Sequence, residues 1–450
     1  MTDGPALTLD GLRGRVQAGE IDTVLVAMCD MQGRLQGKRL DAGHFLDDVV
    51  EHGAEGCNYL LAVDVEMNTV EGYEMSSWET GYGDFQMVPD MDTLRLVPWL
   101  PATALVLCDL QWEDGGEVAA SPRQILRRQL ARLADRGWSA NAATELEFLV
   151  FRDSYEQAWQ KDYRRLEPAN LYNVDYSLLG TARVEPLIRR IRLAMAGAGL
   201  QVENSKGECN RGQHEINFRY TSALRCADEH AIFRNGAKEI AAEEGMAISF
   251  MAKYDEREGS SCHIHFSLAS EADGRPLFER GDPTFQSFLA GQLHGLRELT
   301  LLLAPNINSY KRFTAGSFAP TTIAWAEDNR TCALRVVGQG PGLRFENRAG
   351  GADLNPYMAL SALIAAGLAG IDRELKLEPA FVGNAYAATD RPRLPGTLRE
   401  ARDLFAGSEL AREAFGEDVV AHYVHAADVE LQAFEAAVTD WERMRGFERL

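Results

Sequence analysis

The stretch Thr144-Glu145-Leu146-Glu147-Phe148-Leu149-Val150-Phe151 (TELEFLVF) decides the fold. In a strand, residues i and i+2 point to the same side, so Glu145 and Glu147 project from one face while Leu146 and Phe148 pack from the other. The same alternation recurs down the chain. Glu215–Tyr220 (EINFRY) sets Glu215, Asn217 and Arg219 against Ile216, Phe218 and Tyr220. Ser261–Leu268 (SCHIHFSL) sets Ser261, His263, His265 and Ser267 against Cys262, Ile264, Phe266 and Leu268. Arg344–Arg348 (RFENR) aligns Arg344, Glu346 and Arg348, and Arg330–Val337 (RTCALRVV) places Arg330 and Arg335 around an apolar strand. Any one segment also fits an ordinary half-exposed antiparallel strand. As a set they do not, because the polar residues are Glu, His and Arg rather than the Thr, Ser and Lys of a solvated sheet face.

Glu145, Glu147, Glu208, Glu215 and Glu346 with His263 offer oxygen and nitrogen ligands in one region. Carboxylates gathered in a cavity raise each other's pKa values unless a cation sits among them. A pair of divalent ions resolves that conflict, and hard oxygen donors with a single imidazole point to Mg²⁺ or Mn²⁺. Arg312, Arg330, Arg335, Arg344 and Arg348 add planar forks suited to phosphate and carboxylate. Together they imply a highly anionic complex: a nucleoside triphosphate and an acid substrate. Walker A chemistry is not indicated, since Gly33–Lys38 (GRLQGK) has the wrong spacing and Arg39 follows it. Gly338–Gly342 (GQGPG) fits either a bend around a phosphate or a plain turn. The chemistry indicated is metal-assisted phosphoryl transfer on a sheet.

Outward from these strands, 450 residues exceed one ordinary core and predict two domains or more. Ile21–Met28 and Thr103–Cys108 read as strands, with Gly33, Gly37 and Asp90-Met91-Asp92 in turns. Polar, Gly-rich Trp112–Ala120 marks a boundary, giving domains at 1–112 and 113–450 of an α+β protein. Ser121-Pro122-Arg123-Gln124 reads as a capped helix start, Asn355-Pro356 opens an Ala/Leu-rich helix, Thr397–Glu400 is a capping box, and the last twenty residues or so look helical. A formal charge of −21 argues against a nucleic-acid surface. The apolar run Tyr357–Ile371 falls short of the roughly 20 residues a membrane span needs. MTDGPALTLDG, at the start, has neither a basic nor an apolar signal region. Seven scattered cysteines without CxxC spacing predict neither disulfide scaffold nor thiolate zinc site, and place the chain in a reducing cytoplasm.

The motifs ATELEFLVF, ECNRGQHEI, GSSCHIHFSL, NSYKRF, DNRTCALRV and RFENRAGGADLNPY resemble the glutamine synthetase family and occur in its order. The resemblance implies an N-terminal β-grasp domain and a catalytic domain with a curved antiparallel sheet surrounded by helices. It also implies a homo-oligomer of two stacked hexameric rings with active sites between neighbours. By matching position, Glu147, Glu208 and Glu215 should ligate the metal on the acceptor side, and Glu145, His263 and Glu346 the metal on the ATP phosphates. His265, Ser267 and Tyr220 should contact the nucleotide, Arg335 and Arg344 its phosphates, and Arg330 the transferring phosphoryl group. Gly259, Arg312 and Arg348 should grip glutamate. The implied reaction activates the γ-carboxylate as γ-glutamyl phosphate, which an amine then attacks.

The chain departs from that pattern at the amine. Phe318, in GSFAP, stands where glutamine synthetases carry a flap glutamate that helps bind ammonium and take its proton. The FDGSS segment is absent, with Asp64 in LAVDVE nearby; Glu258 replaces the usual Asn before Gly259; and the Tyr-containing adenylylation segment is not recognisable. An apolar wall accepts the carbon chain of an amine better than bare ammonium. This resembles the γ-glutamylpolyamine and γ-glutamylethanolamide synthetase branches. Asp64, Glu66 or Glu258 fits either a distal ammonium partner or an exposed acidic loop. The expected function is ATP-dependent glutamate–amine ligation in amine and nitrogen assimilation. Two alternatives are a glutamine synthetase with a drifted loop and a non-catalytic structural or nitrogen-sensing homologue.

Overall fold

A computed structural model describes residues 7–450. Residues 1–6, where the reading of the N-terminus for a signal region begins, lie outside the described residues. Two sheets organise the chain. The first contains β1 (Thr23–Cys29), β2 (Leu35–Asp41), β3 (Ala54–Cys57), β4 (Asp84–Leu96) and β5 (Thr103–Gln111), in the order β2-β1-β5-β4-β3. Its central pair, β1 and β5, is parallel, and the other pairs are antiparallel. Both central strands are apolar runs because both faces are covered. Val24, Val26 and Met28 pack on one side with helices from the C-terminal end of the chain, while Ala27 and Cys29 pack on the other with the core beneath the second sheet.

Two of the expected turns are strand instead. Gly37 lies inside β2, paired with Ala27, and a Cβ there would meet the Val26 carbonyl at 1.9 Å. Glycine at this position serves close backbone approach, not chain reversal. Asp90-Met91-Asp92 belongs to β4, whose register with β5 shifts between Asp90 and Arg95, so it is a bulge.

The second sheet contains β6 (Trp138–Phe151), β7 (Val202–Gly207), β8 (Gln213–Phe218), β9 (Thr221–Ser222), β10 (Ala247–Ser249), β11 (Cys262–Ser270), β12 (Trp325–Glu327), β13 (Leu334–Val337) and β14 (Arg344–Asn347). Its main path runs β12-β13-β14-β11-β6-β8-β7, with β9 and β10 paired to β6. Every pair is antiparallel except β12 with β13. Arg330, expected at the start of a strand, precedes β13 in a turn. The apolar face of the sheet (Leu146, Phe148, Ile216, Ile264, Phe266, Phe345) lies on the helices of the main core.

Among these helices, Pro356–Asp372 is buried almost all round, as its apolar composition requires. Asn355 caps it by accepting from the Tyr357 N–H. At Ser121 the expected side-chain cap does not form. Gln124 instead accepts from the Leu110 N–H at 3.2 Å, tying the helix Pro122–Ala134 to β5. Thr397 accepts from the Glu400 N–H, but Glu400 reaches past the cap to Gly396. The C-terminal helical region is two helices, Glu417–Ala436 and Asp440–Gly446, the second opened by a capping box at Thr439. Among the described residues no helix is long and apolar enough to cross a membrane.

Candidate active site

Register converts the alternation along β6 into a grid of side chains. Glu145 stands opposite His263 on β11 and Asn217 on β8. Glu147 stands opposite Glu215, which faces Lys206 on β7. Glu346 stands opposite His265 on β11 and Arg335 on β13. Residues from separate parts of the chain thus share one face because each lies two positions from the next on its own strand.

Two groups of metal-competent donors result at the sheet, and a third, Asp175, Glu208 and Cys209, lies in the adjoining loops and shares Glu208 with one of them. Oxygens of Glu147, Glu208 and Glu215 lie within 4.8 Å of one another, and so do donor atoms of Glu145, His265 and Glu346. His263 joins the second group, with Nδ1 3.2 Å from Glu145 and 3.4 Å from Glu346. His265, expected at the nucleotide alone, also bonds Glu145 through Nε2 at 2.8 Å.

The electrostatics of both groups fit divalent cations. Burial, together with the charge of Glu215, pushes Glu147 up to about 7. Burial also raises Glu215, against the pull of Lys206. A cation among these oxygens removes the cost of keeping both ionised. Burial lowers His263 to about 4, which leaves a neutral ring with a lone pair to donate. At Glu145 burial is outweighed by bonds from His263 and His265, which hold it below the usual carboxylate range. At Glu346, which has no exposed surface, burial is outweighed by His263 and Arg348. Glu147 is fixed by the Ser261 N–H at 2.8 Å and the Gln213 amide at 2.9 Å.

Two adjoining cavities share Glu145, Asn204 and Asn217. One, of about 390 Å³, is lined by Tyr220, His265, Ser267 and Arg344, the residues expected at the nucleotide. The other, of about 540 Å³, is lined by the first donor group and by Gly259, Phe318, Arg330 and Arg348. Arg335, expected on the phosphates, lines this second cavity and bonds Glu346 at 2.9 Å and Asp328. Arg348 bonds Glu346 at 2.5 Å and the Phe318 carbonyl at 3.2 Å, and its buried Nε has no partner among the described residues. Arg330 lines the cavity with no carboxylate in ion-pair range among the described residues.

Two predicted site residues are placed differently. Arg312 is 1% exposed and does not line the cavity. Its guanidinium donates to Ser261 and to the carbonyls of Arg348, Ala349 and Gly350, so it braces the loop that carries Arg348. Asp64 does not line this cavity either; it accepts from the N–H groups of Glu66 and Asn68 and from the Asn68 side chain within its own loop. Phe318 does line it, half-exposed, at a left-handed φ of 59°. Such a backbone is rare for a bulky non-glycine residue and costs on the order of 1 kcal/mol. Sequence reasoning missed Lys206 and Gln213, although each lies two residues before a named glutamate and so shares its face. It also missed Asp175 and Tyr176, which sit in a loop with no periodicity to read.

The family profile described as "Glutamine synthetase, catalytic domain" matches residues 119–445. The chain is 63% identical to the γ-glutamylethanolamide synthetase GlnA4 of Streptomyces coelicolor, across 99% of this chain and 97% of that one. It is 36% identical to a glutamate–isopropylamine ligase of a Pseudomonas species, across 96% of each. Among solved structures, one described as a GmaS/ADP complex superposes with a TM-score of 0.85 at 26% identity, covering 97% of this chain and 99% of that one.

Proposed function

The chain belongs to the glutamine synthetase family, and on that premise we propose that it is an ATP-dependent ligase joining the γ-carboxyl of glutamate to a small organic amine. The observation that carries the choice of amine is Phe318, an apolar ring on the wall of the second cavity. A benzyl side chain carries no anion to pair with ammonium and no group to accept its proton, whereas it packs against an alkyl chain. The names of the relatives at 63% and 36% identity point the same way and make ethanolamine the first amine to try.

In this reading Tyr220, His265 and Ser267 seat the nucleotide, Arg344 orients its phosphates, and Arg335 steadies Glu346 beside them. Arg330, without a carboxylate partner, waits for the transferring phosphoryl group, where a preorganised cation contributes several kcal/mol. Gly259 and Arg348 hold the glutamate, and Arg312 fixes the loop beneath. The γ-carboxylate attacks the terminal phosphate of ATP and releases ADP, and the amine then displaces phosphate from the resulting γ-glutamyl phosphate and gives up a proton to form the amide. Mg²⁺ or Mn²⁺ held by Glu147, Glu208 and Glu215 and by Glu145, His263 and Glu346 would neutralise charge on the phosphoryl oxygens. The two domains are read as 1–112 and 113–450. Exposed Trp441, Met444 and Phe447 support an assembly that covers them, read here as two stacked hexameric rings. A cytoplasmic location supplies the ATP.

The test is phosphate release from ATP with glutamate and Mg²⁺ across ammonium, ethanolamine, putrescine, cadaverine, spermidine and monoalkylamines, with Glu346→Ala as control. We expect turnover with an organic amine, little with ammonium, and none in the variant. Strong ammonium turnover would make the protein a glutamine synthetase proper. No turnover with any amine, and no Mn²⁺ binding, would make it a non-catalytic homologue.

A further inference from the structure

Lys206 stands opposite Glu215 across β7 and β8. Its ammonium bonds Glu208 and lies 3.8 Å from a Glu215 oxygen, touching two of the three carboxylates in the first donor group. The same ammonium stands 5.0 Å from the centroid of the Tyr176 ring. A lysine ammonium and a divalent ion cannot share those oxygens at contact distance, since like charges repel most strongly where burial excludes water. A lysine head on four methylenes moves readily, and an aromatic face within about 6 Å is a seat for it.

We propose that Lys206 is an internal cation that competes with the divalent ion for the Glu147–Glu208–Glu215 seat and, when the ion binds, gives up Glu208 and closes on the Tyr176 ring it already faces. Tyr176 lines the same cavity, is 73% exposed and carries a left-handed φ of 51°. Ion binding therefore presses a cation against the wall of the amine cavity and couples the first metal to the position of that wall. Lys206 acts here as a positioning residue. The inference rests on the reading of these glutamates as a divalent-ion site.

The test is Mn²⁺ titration of the full-length protein, with free Mn²⁺ followed by EPR, for wild type, Lys206→Met and Tyr176→Leu. Glu147→Gln identifies which binding step belongs to the first donor group, and the group of Glu145, His263 and Glu346 serves as internal reference. Lys206→Met should tighten the first step about tenfold, a fraction of the full repulsion once solvent screens it. Tyr176→Leu should weaken that step about threefold, the worth of an exposed cation–π contact. The reference step should not move in either variant. An unchanged or weaker first step in Lys206→Met, or an unchanged one in Tyr176→Leu, overturns the proposal. Tyr176 is on the surface, so its variant carries the test if Lys206→Met does not fold. Failure of wild type to bind Mn²⁺ at this step overturns the divalent-ion reading itself, and this inference with it.

Discussion

Phe318 holds a position where side-chain chemistry and backbone geometry both bear on selectivity. Its carbonyl accepts from Arg348 and its ring faces the cavity that also contains Glu147 and Glu208. Phe318→Glu should return a proton-accepting anion to that wall without adding backbone strain, since φ is already left-handed. The ratio of kcat/KM for ethanolamine to that for ammonium should fall about tenfold or more. An unchanged ratio would mean that the selector lies elsewhere. Most charged residues of the site were legible from identity and spacing alone, because a strand fixes which residues share a face. Arg312 was not: the family resemblance implied a substrate contact, but only the loop carbonyls folded around it reveal a brace.

Strand alternation predicted the polar face of β6, β8, β11 and β14, and what escaped it were the joints between elements. The helix Pro122–Ala134 shows why. Its Arg123, 2% exposed, donates to Asp228 at 2.9 Å on the helix Ala223–Glu243, to Asp109 at 2.5 Å on β5, and to Asp90 at 2.6 Å in the β4 bulge. Tyr357 adds a bond to Asp228 at 2.7 Å. No periodicity links these positions; only the folded arrangement does. Arg123→Met should cost about 3–5 kcal/mol, because it leaves buried Asp228 without its cation, while Asp90 and Asp109 keep Arg127. Arg123→Lys should also destabilise, since one ammonium cannot reproduce the planar fork. Calorimetry of the assembled protein should show both melting below wild type, with Met at least as low as Lys. A Tm for Arg123→Met within one degree of wild type would remove this joint from the account.

At the scale of the whole chain, the core ignores the order of the sequence. The first sheet shares one apolar cluster with the helices after residue 356 and another with the second sheet. Composition predicted that a large core exists but not which ends of the chain meet in it, because long-range packing leaves no local pattern. Buried histidines scattered through this core tie its stability to pH. Burial holds His214, bonded to Asn170, down to about 4. Burial, with Arg234 nearby, holds His230 to about 3. Burial also holds His422, under the first sheet, to about 4. In the unfolded chain each returns to about 6.5. Between those values the unfolded state binds more protons, so unfolding free energy rises with pH. The stabilisation is complete above about pH 6.5 and is lost as pH falls toward 4. Glu147, raised to about 7, titrates in the opposite sense, so differences between variants isolate the histidines better than the raw profile does. His214→Gln keeps a hydrogen-bonding partner for Asn170 and removes one titrating group. Denaturant unfolding from pH 7 to 5 should show wild type losing stability faster than His214→Gln, by about one proton's worth of slope. Parallel profiles would mean that His214 is charged inside the folded chain, and that burial there does not exclude a proton.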